Sequence, residues 1–156
     1  MTNIIEDFYA AFDRLDGEAM AACYHPDVRF EDPAFGVLEG EQAGNMWRML
    51  CSSQKGKDFK VESSNIKLDG SSGSAHWEAW YNFSQTDRKV HNKIDASFEL
   101  KDGKIIRHTD HFDLHRWAGQ ALGFKGTLLG WTGFFKKKLQ AQTNGLLGKF
   151  EQSARS

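Results

Sequence analysis

Near Lys57 the spacing of apolar residues changes from every third or fourth position to every second one, and this change of period narrows the folds open to the chain. Before it lie helical stripes. From Asn3 to Leu15 the residues Ile5, Phe8, Tyr9, Phe12 and Leu15 recur at helical spacing, and Asn3 and Glu6 stand where a capping pair belongs. Asp16 is placed to cap a shorter helix carrying Ala19, Met20, Cys23 and Tyr24 on one face, ended by His25-Pro26. A third stripe, Ala43, Met46, Trp47, Leu50 and Cys51, predicts a helix from about Gly40 to Cys51.

After Lys57 the pattern is that of strands. Phe59 and Val61 alternate with polar residues, the phase slips at Ser63-Ser64, and Ile66 and Leu68 resume before an Asp69-Gly70 turn, which predicts a bulged strand. The next strand sets Ala75, Trp77, Ala79, Tyr81 and Phe83 against His76, Glu78, Trp80 and Asn82. Val90 to Leu100 and Lys104 to Leu114 give two more, joined by the hairpin signal Asp102-Gly103. Helices first and a strand meander afterwards predict an α+β fold, with a curved antiparallel or mixed sheet packed on about three N-terminal helices.

Composition limits function. The 156 residues carry 20 Lys and Arg against 21 Asp and Glu, a net charge of −1, without the basic stripe that nucleic-acid binding requires. Cys23 and Cys51 sit at helical spacing among apolar residues and lack metal-ligand spacing, so no metal, no cofactor and no disulfide are expected. No run reaches the ~18 apolar residues of a membrane span, and the first residues lack the pattern of a signal peptide; a cytoplasmic address is the expectation.

The residues after Trp117 differ in kind. Gly119, Gly123, Gly126, Gly130 and Gly133 are interspersed with Leu128, Leu129, Trp131, Phe134 and Phe135. Each glycine costs an isolated helix ~1 kcal/mol, which favours turns or a packed lid, although the spacing also sets all five on one helical face. A last helix is expected with Phe135, Leu139, Leu146 and Phe150 inward and Lys136, Lys137 and Lys138 outward. The chain is thus read as a domain over 1–117 and an extension over 118–156 that packs on that domain or on a partner subunit.

Three segments, Phe8-Tyr9-Ala10-Ala11-Phe12, Tyr24 to Pro33 and Phe98 to Ile106, resemble in this order the nuclear transport factor 2-like superfamily, which includes ketosteroid isomerase, limonene epoxide hydrolase and the SnoaL-like polyketide cyclases. The resemblance implies a cone-shaped α+β barrel with an internal pocket between helices and concave sheet, dimerisation through the outer sheet face, and an apolar, cyclic small-molecule ligand. It also implies roles for acidic residues at the positions of Asp32 and Asp110.

Alternation itself singles out the same acids. Asp32 shares parity with the apolar Val28 and Phe30, and His108, Asp110 and Phe112 share parity with Ile106, so a desolvated His–Asp pair is expected on the last strand. Asp110, His108 and Asp32 are the candidate catalytic residues; Phe8, Tyr9, Tyr24, Trp47, Glu78, Trp80, Asn92 and Phe112 are the candidate ligand-binding residues. Alternation by itself allows His76, Glu78 and Trp80 to face either side.

The isomerase and hydrolase patterns are each incomplete. Phe8 stands where the isomerase has its oxyanion-binding Tyr, counting back from Asp102-Gly103 turns Ala96 rather than Asp95 inward, and no Arg lies between Phe59 and Asp87 for the hydrolase relay. The expected function is a cofactor-independent acid/base enzyme, an isomerase, cyclase or hydrolase, acting on an apolar cyclic substrate. The alternative is a non-catalytic ligand-binding or dimerisation module of the same fold.

Overall fold

The computed structural model describes residues 2–155. Two helices, α1 (Ile4–Asp13) and α2 (Gly17–Ala22), precede strands β1 (Tyr24–Asp32) and β2 (Gly36–Glu39). Helix α3 (Glu41–Gln54) leads into β3 (Lys60–Asp69), β4 (Ser72–Phe83), β5 (Arg88–Lys101) and β6 (Lys104–His111). The chain then forms α4 (Leu114–Leu122), α5 (Phe124–Leu129) and α6 (Gly133–Arg155). One curved six-stranded sheet runs in the order β2-β1-β6-β5-β4-β3, antiparallel except where β1 pairs with β6 in parallel.

Helix α1 begins with the Asn3–Glu6 capping box and buries Ile5, Phe8, Tyr9 and Phe12 against the sheet. Each large apolar side chain so buried stabilises the fold by about 1.5–3 kcal/mol. Helix α2 is capped by Asp16 but stops at Ala22, earlier than the apolar stripe predicts. Tyr24 instead opens β1 and pairs with Ile105, because Pro26 disfavours helical backbone before it and the extended form delivers the Tyr24 side chain to the core.

The alternation on β4 is realised: Ala75, Trp77 and Ala79 are buried on the concave side. Ala96 is buried opposite Asp110, and Asp95 points outward. The slip in β3 falls between Ser64 and Lys67, where Asn65 takes a left-handed backbone. Both cysteines are buried and unpaired.

The glycine-rich stretch meets the expectation of turns or a packed lid in part: it turns at Gly123 and at Gly130–Thr132, but the residues between form short helices packed on one another. A Cβ on Gly126 would lie 1.8 Å from the Ala118 carbonyl oxygen, and one on Gly130 would lie 2.6 Å from Ala118 Cβ. Glycine thus lets α5 lie directly on α4, and tertiary contact outweighs its low helix propensity. Trp117, Ala118 and Ala121 of α4 form a second small core with Val90. Helix α6 returns along the domain and buries Leu147, whereas Leu146, expected inward, is exposed. It is tied to the β1–β2 turn by Gln140 donating to Pro33 O, Thr143 to Ala34 O and Asn144 to Phe35 O, at 3.1, 2.8 and 2.8 Å.

Candidate functional site

On β6, His108 is fully buried and Asp110 is 3% exposed, and both point to the concave side. They share that side with Ile105 rather than with Ile106, as parity had predicted. The β5–β6 register shifts between Glu99 and Leu100, so Ile106 is the extra residue of a bulge and the phase turns over after Ile105.

The pair ends a chain of hydrogen bonds through the core. Trp47 Nε1 donates to the Tyr24 hydroxyl at 2.7 Å, that hydroxyl lies 2.7 Å from His108 Nδ1, and His108 Nε2 lies 2.9 Å from Asp110 Oδ1. Because an indole N–H only donates, the arrangement that gives every hydrogen an acceptor is directional. Tyr24 donates to Nδ1, the ring carries its hydrogen on Nε2, and Nε2–H donates to Asp110. Trp77 Nε1 also donates to Oδ1, at 3.4 Å. Oδ2 has no hydrogen-bond partner among the described residues, so the free side of the carboxyl is the one able to exchange a proton.

The surroundings are aromatic. His108 lies edge-on to Phe8 and Phe30 and parallel to Trp47, with ring centroids 5.4, 5.1 and 6.2 Å away. Tyr9, beside Phe8 on α1, has a buried hydroxyl with no hydrogen-bond partner among the described residues. Burial pushes that phenol well above its usual range, and the negative charge of Asp110 adds to the effect. Burial likewise holds the Tyr24 phenol protonated against the opposing Trp47 hydrogen bond.

Asp32 ends β1 and accepts from the backbone N–H groups of Ala34 and Phe35 at 2.9 and 2.6 Å, closing the turn at Pro33. Those bonds favour the anion, yet desolvation outweighs them and raises the carboxyl to about 7, helped by Asp110. Asp32 therefore joins the turn-capping role to a proton held near neutral pH.

Phe8, Tyr9, Tyr24 and Trp47 all lie in the core around the pair. Phe112 is half-buried beside both cores, and Asn92 is half-buried on the concave side opposite Ala79. Glu78 and Trp80 do not join them, because strict alternation puts both on the outer face once Trp77 and Ala79 point in. There Glu78 bridges His76 and His91 at 2.8 and 2.6 Å, and Trp80 stacks on His91. Trp77 is the site residue that sequence reasoning missed; its signal was the flanking pair Ala75 and Ala79, which leaves one large side chain in the middle of an inward row.

No wide opening leads to Asp110 in either of the two grooves that stand out on the surface. One is lined by Arg88, Lys89, Arg116 and Gln120, the other by Phe59, Trp80, Tyr81 and His91, and both lie away from the His–Asp pair. Among the described residues no group of His, Cys, Asp and Glu has the arrangement of a metal site. No described helix is long and apolar enough to cross a membrane.

Comparison with known proteins places these features in a family context. The family model described as SnoaL-like domain matches residues 5–108. No curated protein matches the sequence. Among solved structures, an LEH-like epoxide hydrolase of M. tuberculosis is similar at 24% identity and TM-score 0.57, over 81% of this chain and 88% of that one. TerC, co-crystallised with polyporic acid, is similar at 20% identity and TM-score 0.58, over 70% and 88%. A protein with a ketosteroid isomerase-like fold from Catenulispora acidiphila, in complex with trimethylamine, gives 13% identity and TM-score 0.62, over 77% and 94%. At these identities the likeness to solved structures concerns the fold.

Proposed function

The chain belongs to the SnoaL-like domain family, and from that premise we propose that it is a cofactor-independent acid/base enzyme acting on an apolar, cyclic small molecule. The observation that carries this reading is the buried His108–Asp110 pair, whose Asp110 Oδ2 takes part in no hydrogen bond among the described residues, set beside the buried Tyr9 hydroxyl, which also has no hydrogen-bond partner among them. Leaving a buried polar group unpaired costs about 1–3 kcal/mol, a cost that a bound ligand removes.

In this mechanism Asp110 takes a proton from the substrate through Oδ2 while Oδ1 stays held by His108 and Trp77. Negative charge developing on substrate oxygen is met by the Tyr9 hydroxyl. Asp32, protonated up to about pH 7, returns a proton at the far side of the site. The Trp47–Tyr24–His108 chain fixes the imidazole tautomer and orients Asp110; it acts by positioning. A homodimer formed through the outer sheet face, a cytoplasmic address, and the division into a domain over 1–117 and an extension over 118–156 belong to the same proposal.

The test is a native mass-spectrometry and thermal-shift screen of steroids, terpene epoxides and polyketide-like aromatics against wild type and Asp110→Asn. Ligand stabilisation of both proteins, with turnover lowered about 10²–10⁴-fold in the variant, is expected. Stabilisation without turnover in wild type would replace the enzyme by a binding module, and the absence of any hit would remove the proposed ligand class.

A further inference from the structure

The segment from Leu114 to Phe150 contains none of the 21 acidic residues and six of the 20 Lys and Arg, so it carries +6 while the rest of the chain carries −7. Within it lies a row of bare apolar side chains. Phe124, Leu128, Leu129, Trp131 and Phe134 are 78, 57, 51, 72 and 78% exposed. They follow one another along α5, across the turn at Gly130–Thr132 and into the first turn of α6.

Close contact with α4 explains why these side chains face out. The inward face of α5 is used up by Gly126 and Gly130, which touch Ala118 so closely that no side chain fits there. Every large residue of α5 is therefore turned to solvent, while Phe135 and Leu139, one phase further along α6, pack inward. The Trp131 indole N–H donates to Leu128 O at 3.0 Å. Its polar handle is thus satisfied within the chain, and the ring offers apolar surface.

Cations frame the ridge. Lys125 projects from α5, Lys136, Lys137 and Lys138 follow Phe134, and all four are exposed. The open groove between α4 and β5 adds Arg88, Lys89 and Arg116, with Asp113 as its acidic member. An apolar, aromatic-tipped ridge bordered by lysines fits a surface that is apolar below and anionic above. A nucleic acid would match the lysines but not the leucines.

We propose that α5 and the first turn of α6 form an interfacial anchor that seats on an anionic lipid surface, with Phe124, Leu128, Trp131 and Phe134 entering the acyl boundary and Lys125 and Lys136 to Lys138 meeting the headgroups. The anchor lies in the plane of the surface, since no described helix can span it.

The test is flotation of the full chain with vesicles of phosphatidylcholine alone and of phosphatidylcholine containing about a third phosphatidylglycerol. Binding to the anionic vesicles that weakens with salt is expected, with little binding to the neutral ones. Trp131→Ser with Phe134→Ser should lower partitioning by on the order of a hundredfold, and Lys136→Gln with Lys137→Gln and Lys138→Gln should lower it about as much while removing most of the salt dependence. All five side chains are exposed, so circular dichroism and the Tm of both variants should match wild type. No partitioning of wild type, or partitioning untouched by the serine variant, would overturn the proposal. So would concentration-dependent self-association of wild type that the serine variant abolishes without any vesicle binding, which would assign the ridge to a second copy of the chain.

Discussion

Two of the His-x-acid pairs in the sequence lie within β4 and β6, the strands that flank β5 on either side, and they differ chiefly in the face they occupy. His76 and Glu78 lie on the outside of β4 with Nε2 and the carboxylate 2.8 Å apart; His108 and Asp110 lie on the inside of β6 at 2.9 Å. Spacing, residue types and bond length are nearly the same. Outside, Glu78 is shared between His76 and His91, and His76 turns its other nitrogen to Asp95, so both imidazoles are held by carboxylates that water also reaches. Inside, a single carboxylate faces a single imidazole that is itself held by Tyr24 and Trp47. Motif and distance therefore do not separate an ion-pair cluster from a candidate acid/base site; the solvent, the number of competing partners and the unpartnered oxygen do.

The sharpest way to break this comparison is to truncate both histidines. His108→Ala leaves a cavity between Phe8, Phe30 and Phe98 and strips Tyr24 and Asp110 of their partner, so a loss of roughly 3 kcal/mol or more is expected in urea unfolding. His76→Ala, on the outer face, should stay within about 0.5 kcal/mol of wild type. Equal losses would show that the two pairs have the same structural weight and that burial is not what divides them.

Asp32 sharpens the contrast from a third environment. Its carboxyl is raised from 3.8 to about 7 by burial, so the folded state holds a proton that the unfolded chain releases between those values. Stability from this group is full below the unfolded value and is lost as pH rises from about 4 to about 7, by up to a few kcal/mol. Asp32→Asn keeps an oxygen for the Ala34 and Phe35 N–H groups and cannot ionise. The variant should show a flatter stability profile across that window and match or exceed wild type at pH 8, measured by urea unfolding at a series of pH values. An unchanged slope would mean that the Asp32 carboxyl is well solvated, and Asp32 would then have no claim to deliver a proton at neutral pH.

Much of the fold was legible because burial follows period. The rows Ile5-Phe8-Phe12 and Ala75-Trp77-Ala79 could be read inward without any contact information, and the inward row of β5 placed Ala96, not Asp95, on the concave side. The His108–Asp110 pair was legible for the same reason, although by parity with Ile106, which the bulge in β6 displaced. Tyr24 as the second partner of His108 was not legible. The two residues are 84 positions apart, and their meeting depends on the parallel β1–β6 pairing, which no local pattern encodes. The side chosen by Glu78 and Trp80 was equally hidden, since both faces of β4 carry aromatics and only the position of α1 decides which is inside. The glycine stretch was legible for its turns at Gly123 and Gly130, but not for the short helix between them, which is stabilised by contact with α4 and not by its own propensity.

The smallest expected effect concerns the outer cluster's dependence on pH. His76 is raised above 6.5, first by its hydrogen bond to Asp95 and then by that to Glu78. A histidine raised on folding adds stability that is complete below its unfolded value and fades as pH climbs through the higher, folded one. The cluster should therefore support the fold slightly better at pH 6 than at pH 8, the opposite of a carboxylate held in its ionised form. Asp95 is largely exposed and screened, so the change is expected to move the Tm by no more than about 1–2 °C and to shrink further in high salt. His76→Gln should flatten even that slope, followed by thermal melts at both pH values. A salt-independent shift of many degrees would instead make the outer cluster a buried and tightly coupled group like the inner one, as it would be if a partner copy covered that face of the sheet and shielded both histidines from solvent.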